Sequence, residues 1–316
     1  MSNVLEVKNL TKIFGSSKGK KITKPAVDRL SFELEEGEIL GLLGPNGAGK
    51  TTTIQMLIGA LSPTSGEILY FGSPFSGIED PVLGKINFSS AYTDLPGRMT
   101  VWESLDVYAR LYGVKNRRER IYRLAREFDI EKCVLKKFNS LSAGQKTRVL
   151  LIKGMINFPR ILLLDEPTAS LDPEIAHKVR RFLLMQQDKH KVSILFTSHN
   201  MHEIQEICDR VIFLNHGVIV AEDTPMGIIK KLKRTSVRLL IERGKEDLTS
   251  YCENQKIALH WKKDRAELSI EEEEIPKTLF ELSKCGVRYS EIEILRPTLE
   301  DFFLEQATKT EGDHES

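Results

Sequence analysis

The 316 residues leave room for one large domain and a smaller one, and the near balance of 46 basic and 45 acidic residues argues against a nucleic-acid partner. The four cysteines lie far apart without a C-x-x-C pair, which argues against a disulfide framework and a zinc site and suits a reducing cytosol. We find no N-terminal apolar signal region and no run of about 18 apolar residues, so we expect any membrane role to be peripheral.

The N-terminal stretch predicts a small antiparallel sheet. Apolar and polar residues alternate at residues 4–14 and again at residues 27–34, which indicates two strands. The lysine-rich segment at residues 16–24 lies between them. It is either a solvated basic loop or a patch that touches anionic lipid headgroups.

A phosphate-binding loop follows the second strand. Residues 39–43 form an apolar run typical of a buried strand, and residues 52–57 begin a helix. The intervening sequence fits the pattern G-x-x-x-x-G-K-[ST], in which backbone N–H groups surround a phosphate at a helix N-terminus. Lys50 would reach the β- and γ-phosphates, and the Thr51 hydroxyl would join a Mg²⁺ shell. The predicted nucleotide-contacting residues are Gly44, Pro45, Asn46, Gly47, Ala48, Gly49, Lys50, Thr51 and Thr52.

The rest of this region predicts an α/β frame with a helical insert. Apolar residues fall at helix spacing from residue 100 to about residue 154, with Val101, Leu105, Tyr108 and Tyr112 on one face. Residues 211–221 predict a hairpin. Further strands are predicted at residues 67–71, 86–88, 161–165 and 192–196.

Two carboxylates end the predicted strand at residues 161–165. Asp165 would hold Mg²⁺ directly or through water. Glu166 would point to a different side of the pleat and polarise a water for attack on the γ-phosphate. The alternative is a strand end with two solvated acids.

Residues 141–145 read L-S-A-G-Q, twenty residues before Asp165. With the phosphate loop upstream and the acidic pair downstream, residues 4 to about 230 resemble the ATP-binding cassette (ABC) ATPases, whose signature is L-S-G-G-Q. Residues 170–172 are similar to the D-loop of this family, and residues 197–199 are similar to its switch-histidine segment.

The resemblance implies a site shared between two subunits. Ser142 and the amides of Ala143 and Gly144, with Gln145 closing the signature, would clamp the nucleotide held by a second copy in a head-to-tail homodimer around two ATP. Ala143 replaces the usual glycine, and we expect a methyl group there to be tolerated if φ is negative.

The same resemblance implies roles for three further residues. His199 would bind the γ-phosphate and act with Glu166 and Lys50 in catalysis, Phe14 would stack on adenine, and Asp172 would belong to the nucleotide-binding set. A satisfied core histidine and a buried core phenylalanine are the structural alternatives at positions 199 and 14.

One family feature is missing. The glutamine that touches Mg²⁺ and relays closure to the helical insert is replaced by Ala91, and no glutamine occurs between Gln55 and Gln145. Water could fill the Mg²⁺ shell, or the substitute could be one of Ser89, Ser90, Thr93 and Asp94.

The implied fold class is α/β, a P-loop NTPase ABC cassette with a RecA-like core, an antiparallel β subdomain and an α-helical subdomain, plus a small C-terminal α+β domain. We expect the cassette at residues 1–230, its helical subdomain at about 92–155, the accessory domain at 236–306 and a disordered tail at 307–316. The accessory domain should hold three or four strands, a helix near residues 275–284 and another from Thr298 capped by Asp301, with residues 271–274 as a solvated turn. It would reinforce the dimer or regulate hydrolysis.

The length of the chain and residues 296–304 limit the classes of ATPase to which the chain can belong. The chain has one compact cassette and no long coiled coils, which distinguishes it from the related translation and DNA-repair ATPases. Residues 296–304 resemble the P-T-L-E-D-x-F-L ending of exporters for drugs, lipids and polysaccharides. We therefore predict a cytosolic ATPase subunit that uses ATP and Mg²⁺, held on the inner face of the cell membrane by a separate permease. The permease would dock between Ala91 and the helix beginning at Val101. The alternatives are a soluble regulatory or mechanical ATPase and, more remotely, a small-molecule kinase.

Overall fold

The computed structural model describes residues 2–15, 24–90, 93–232 and 234–303. The chain divides into two compact units, residues 1–225 and 226–316. Most of the basic loop, Ala91 and the tail from residue 307 lie outside the described residues, so the predictions for them stay predictions. Among the described helices, none has the length and apolar character needed to span a bilayer.

The strands of the first unit are β1 (Asn3–Lys12), β2 (Val27–Glu35), β3 (Ile39–Leu43), β4 (Ser65–Tyr70), β5 (Ser73–Pro74), β6 (Ile86–Ser90), β7 (Ile161–Asp165), β8 (Ser193–Thr197), β9 (Arg210–Asn215) and β10 (Val218–Asp223). The helices are α1 (Lys50–Leu57), α2 (Val101–Leu111), α3 (Arg117–Glu127), α4 (Ala143–Gly154), α5 (Pro173–His190) and α6 (Met201–Ile207). A short helix, α7 (Pro225–Lys230), follows where the first unit ends.

Two sheets build the first unit. The antiparallel sheet has the order β2-β1-β4-β5, and the larger one has the order β10-β9-β3-β8-β7-β6, parallel from β9 to β6. Every residue of β3, β7 and β8 is buried. Strands covered on both faces read as continuous apolar runs, which is why these strands were predictable from the sequence.

The carboxyl ends of the parallel strands meet at one edge of the sheet. Ser90 of β6 pairs with Asp165 of β7, which pairs with Thr197 of β8, and Leu42 of β3 pairs with the same Thr197. Ligands of open α/β sheets bind outside this edge. The fold therefore places the phosphate loop beside the predicted acidic pair.

The helical insert contains α2, α3 and α4. Thr100 and Glu103 form a capping box at the start of α2. The predicted face of this helix was partly wrong, because Ser104 and Ala109 are buried whereas Tyr112 follows the helix and is exposed. The buried Arg120 of α3 donates hydrogen bonds to carbonyl groups just past the end of α4, which satisfies acceptors that a helix end leaves free.

The second unit contains β11 (Arg234–Arg243), α8 (Lys245–Gln255), β12 (Ala258–Lys262), β13 (Arg265–Glu271), α9 (Ile275–Lys284) and β14 (Arg288–Leu295). Its sheet is antiparallel in the order β12-β13-β11-β14, and α8 and α9 pack on one face. The helix α8 was not predicted from the sequence, and its only buried side chains are Leu248 and Cys252. Residues 272–274 form a turn of 3-10 helix rather than a plain turn, and Thr298 and Asp301 bond as a capping box.

Candidate nucleotide site

Glycines shape the loop between β3 and α1. Gly44, Gly47 and Gly49 have φ angles of 150°, 81° and 104°, which side-chain-bearing residues rarely adopt. A Cβ on Gly44 would lie 2.2 Å from the Leu214 carbonyl oxygen, and one on Gly49 would lie 2.7 Å from the Ala26 carbonyl oxygen. At Gly47 no atom lies within 4 Å of that position. The loop is thus packed on its protein side and open toward solvent.

Backbone hydrogen bonds fix this loop to the β9–β10 hairpin. The Ala48 amide donates to the Pro45 carbonyl over 3.1 Å, and the Gly217 amide donates to the Ala48 carbonyl over 3.0 Å. Asn46 lies exposed at the tip. These bonds hold the loop in its bent shape against the hairpin.

Lys50 is at the end of the phosphate loop, and its side chain lies inside the loop. Its Nζ donates hydrogen bonds to the carbonyl oxygens of Gly44 (2.6 Å) and Pro45 (3.2 Å). Burial lowers the pKa of the Lys50 ammonium, and the negative charges of Glu166 and Asp165 oppose that shift. The ammonium is therefore held in the bend of the loop, facing the acidic pair.

A hydroxyl and a carboxylate meet where a cation is predicted. Thr51 Oγ1 lies 3.3 Å from Asp165 Oδ2, and Thr197 Oγ1 donates to Asp165 Oδ1 over 2.8 Å. Asp165 is buried, whereas Thr51 is exposed and Thr52 half-buried. Carboxylate and hydroxyl oxygens are hard ligands, so this set fits Mg²⁺ by its chemistry.

Glu166 departs from the predicted pleat. The strand ends at Asp165, and Glu166 adopts a φ of 53°, in the left-handed region. Its amide donates to the Thr197 carbonyl (3.2 Å) and to Thr197 Oγ1 (3.0 Å), so a turn in the backbone rather than strand alternation directs the side chain. Glu166 Oε2 lies 2.5 Å from His199 Nδ1. The His199 ring is 67% exposed, which excludes a satisfied core histidine.

The signature forms the N-terminus of α4, with Ser142 as its N-cap. Ser142 Oγ accepts from the Gln145 amide (3.3 Å), and Gln145 Oε1 accepts from the Ser142 amide (3.1 Å). Ser142 and Ala143 are exposed, and Ala143 is not among the residues with positive φ. A Cβ on Gly144 would lie 3.4 Å from the Ser170 carbonyl, so the signature adjoins the D-loop segment of its own chain.

The remaining predicted residues make other contacts. Asp172 caps α5 by accepting from the Ile175 amide over 3.0 Å. Phe14 is 44% exposed, with Lys12 Nζ 5.5 Å from its ring centroid, so it is no core residue. Within the described ranges, no hydrogen bond joins residues 142–145 to the phosphate loop.

Comparison with known proteins decides the family. A profile described as "ABC transporter" matches residues 27–169. The uncharacterized ABC transporter ATP-binding protein YhaQ of Bacillus subtilis (strain 168) is 31% identical over 308 residues, which are 96% of this chain and 98% of YhaQ. The chain belongs to the ABC transporter ATP-binding proteins. This membership confirms the predicted ABC cassette fold and the prediction of an ATP-binding, ATP-hydrolysing cassette.

Two other relatives extend the comparison. The Nod factor export ATP-binding protein I of Neorhizobium galegae is 36% identical over 211 residues, 66% of this ABC protein and 60% of the relative. A solved structure of the ATP-binding subunit of an ABC transporter superposes with a TM-score of 0.65 at 27% identity, covering 72% of this chain and 92% of that one.

Two residues that contact the candidate site of this ABC cassette were not predicted from the sequence. Thr197 contacts both Asp165 and the Glu166 amide, although the sequence reading took it only as context for His199. Glu203 is a buried carboxylate on α6 that bonds to Thr168 and Ser198. Nothing in the pattern distinguishes Glu203 from the solvated glutamates of other helices, because its burial depends on residues distant in sequence.

Proposed function

We propose that the protein is the ATPase subunit of an exporter, which dimerises around two ATP and drives a separate membrane permease. The contact between Glu166 and His199 beside the phosphate loop carries the catalytic part of this proposal. The similarity to a Nod factor export protein and the ending at residues 296–304 support an exporter.

The phosphate loop supplies the nucleotide contacts. The loop is open at Gly47, where no atom lies within 4 Å of an added Cβ, and its backbone N–H groups would surround a phosphate chain. Lys50 would exchange its bonds to the Gly44 and Pro45 carbonyl oxygens for the β- and γ-phosphates. The exposed ring of Phe14 would stack on adenine.

Thr51 and Asp165 would hold Mg²⁺. Bound Mg²⁺ would neutralise charge on the phosphates. Thr197 fixes the Asp165 carboxylate through a 2.8 Å hydrogen bond, which orients one of its oxygens toward Thr51.

Glu166 would act as the general base for the attacking water. The turn at Glu166 costs conformational energy, and such backbone positions cluster at functional sites. His199 uses Nδ1 toward Glu166, which leaves its exposed Nε2 edge for the γ-phosphate and the water.

The signature would complete the site of a second copy. Ser142 and Ala143 present a helix N-terminus to solvent, a position that attracts anions, and they do not bond to their own phosphate loop. A head-to-tail dimer would bring Ser142, Gly144 and the neighbouring D-loop residue Asp172 to the nucleotide of the partner. One chain alone then lacks a complete site.

A permease would hold the protein at the inner face of the membrane. Near the predicted docking region, α2 exposes Val107 and Leu111, and Leu135 is 73% exposed. Exposed apolar side chains of this kind suit a protein interface. A regulatory or mechanical ATPase without a permease is not favoured, since the relatives are transporter proteins.

The Glu166→Gln variant tests the catalytic assignment. The amide keeps the shape of the side chain but cannot accept a proton, so we expect ATP binding and a stable ATP-dependent dimer with hydrolysis at least ~100-fold slower. Size-exclusion chromatography and phosphate release measure these properties. Glu174→Gln, an exposed substitution on α5, should match the unmodified protein. Hydrolysis by Glu166→Gln at the normal rate would refute the assignment.

Co-expression tests the permease. With the multi-span protein encoded beside its gene, we expect the chain to sediment with membranes. A chain that stays in the supernatant and does not bind that protein would support the regulatory alternative.

A further inference from the structure

A buried carboxylate lies beside the catalytic edge of the sheet. Glu203 of α6 is 4% exposed. Its Oε2 accepts hydrogen bonds from Thr168 Oγ1 (2.6 Å) and Ser198 Oγ (3.0 Å), and its Oε1 accepts one from Arg180 Nη1 (3.0 Å). All three donors are themselves buried. Both carboxylate oxygens are therefore fixed by direct bonds.

The two hydroxyl donors lie on the two segments that carry the catalytic pair. Thr168 follows Glu166 by two residues, and Ser198 directly precedes His199. Glu203 thus connects both segments to α6, next to the 2.5 Å contact between Glu166 Oε2 and His199 Nδ1. A shift of this single carboxylate would move both catalytic side chains.

The charge of Glu203 makes these connections stiff. Hydrogen bonds to an ionised acceptor are shorter and stronger than neutral ones, whereas a buried charge needs a counter-ion. Arg180 supplies that counter-ion and also pairs with Glu206, whose Oε2 lies 2.6 Å from Arg180 Nε. The Asn200 amide donates to Ser198 Oγ over 3.0 Å, which fixes the loop on the far side of His199 as well.

We propose that Glu203 is a positioning residue for ATP hydrolysis. By binding Thr168 and Ser198 it sets the separation and orientation of Glu166 and His199. The proposal rests on the function proposed above, in which those two residues act on the γ-phosphate and water. Displacing catalytic groups by about 1 Å can slow a reaction ~100-fold, so the connection matters for the rate.

A matched pair at Thr168 tests this role in the full chain with Mg²⁺ and ATP. Thr168→Val keeps the shape and removes the hydroxyl, whereas Thr168→Ser keeps the hydroxyl and removes a methyl group. We expect kcat to fall about tenfold in Thr168→Val with KM for ATP unchanged, and to stay within about twofold in Thr168→Ser. Glu203→Gln should resemble Thr168→Val. Glu206→Gln, which pairs with Arg180 but bonds to neither hydroxyl, should hydrolyse ATP within about twofold of the normal rate.

Three results would overturn the positioning role. They are a normal kcat in Thr168→Val, equal losses in both Thr168 variants, and a rise in KM that accounts for the whole effect. Glu166→Gln in the same assay separates the two proposals. If Glu166→Gln hydrolyses ATP normally, the proposed function fails; if it is inactive while Thr168→Val is normal, only the role of Glu203 fails.

Discussion

The six-stranded sheet of the first unit and the four-stranded sheet of the second distribute charge differently. In the first, Lys50 and Asp165 lie at one edge because parallel strands bring their carboxyl ends together. In the second, antiparallel strands pair charges across an exposed face, as in the bridge of Arg265 to Glu291 (2.8 Å). Convergent charges offer a ligand site, whereas paired charges neutralise each other. We therefore expect substitutions in the two units to differ in their effects on stability and on ATP binding.

The largest difference is expected at glycines with positive φ. Gly44→Ala would place a methyl group against the Leu214 carbonyl, so we expect destabilisation of about 2–5 kcal/mol. The same distortion should weaken ATP binding at least ~100-fold, because it displaces the loop amides. Nucleotide titration measures the second effect.

Gly286 of the second unit is the matched control. Its φ is 85°, but no atom lies within 4 Å of the added Cβ. Gly286→Ala should therefore cost only about 1–2 kcal/mol and leave ATP binding unchanged. The chain has two tryptophans, Trp102 in the first unit and Trp261 in the second, so urea unfolding of single-tryptophan variants follows each unit separately. Equal effects at both glycines would contradict the comparison.

Ion pairs provide a second contrast, which concerns stability alone. Arg180→Met leaves the buried Glu203 without its counter-ion and should destabilise the first unit by about 3–5 kcal/mol. Arg265→Met removes an exposed pair and should cost at most about 1 kcal/mol. Denaturant unfolding with the same tryptophan probes measures both values. A stable Arg180→Met variant would show that the buried pair is dispensable.

The smallest effect is expected from restoring the missing glutamine. Ala91→Gln would supply a side chain that the family uses to contact Mg²⁺, so we expect the hydrolysis rate, or its stimulation by the permease, to change severalfold. Steady-state phosphate release with and without the permease measures both. Ala91→Ser is the control for a polar side chain that is shorter than glutamine. Unchanged rates in both conditions would show that this position has no role here.

Much of the fold was predictable because periodic patterns are local. The strand β7 and the helix α9 have the predicted bounds, since one is a continuous apolar run and the other an amphipathic stretch with Pro276 in its first turn. The helix α8 was not predicted, because its two buried side chains lie among charged ones and form an apolar stripe too narrow to indicate a helix.

The candidate site was predictable in its residues but not in its connections. The motif spacing predicted a site made of the loop, Asp165, Glu166 and His199, and the structure brings these residues together. The left-handed turn at Glu166 has no sequence signal, because glutamate rarely adopts it. Burial of Glu203 likewise depends on Arg180, which lies 23 residues earlier in the chain and meets it only after folding.

Mixing two inactive variants tests the shared site most directly. Lys50→Ala removes the phosphate-loop ammonium, and Ser142→Ala removes the signature hydroxyl, so each homodimer should be nearly inactive. A head-to-tail mixed dimer has one site with both residues intact, and an equimolar mixture should regain roughly a quarter of the normal hydrolysis rate, since half of the dimers are mixed. If each chain held a complete site of its own, the mixture would stay inactive, because no chain in it would have both residues. A mixture that stays as inactive as its components would contradict the shared site.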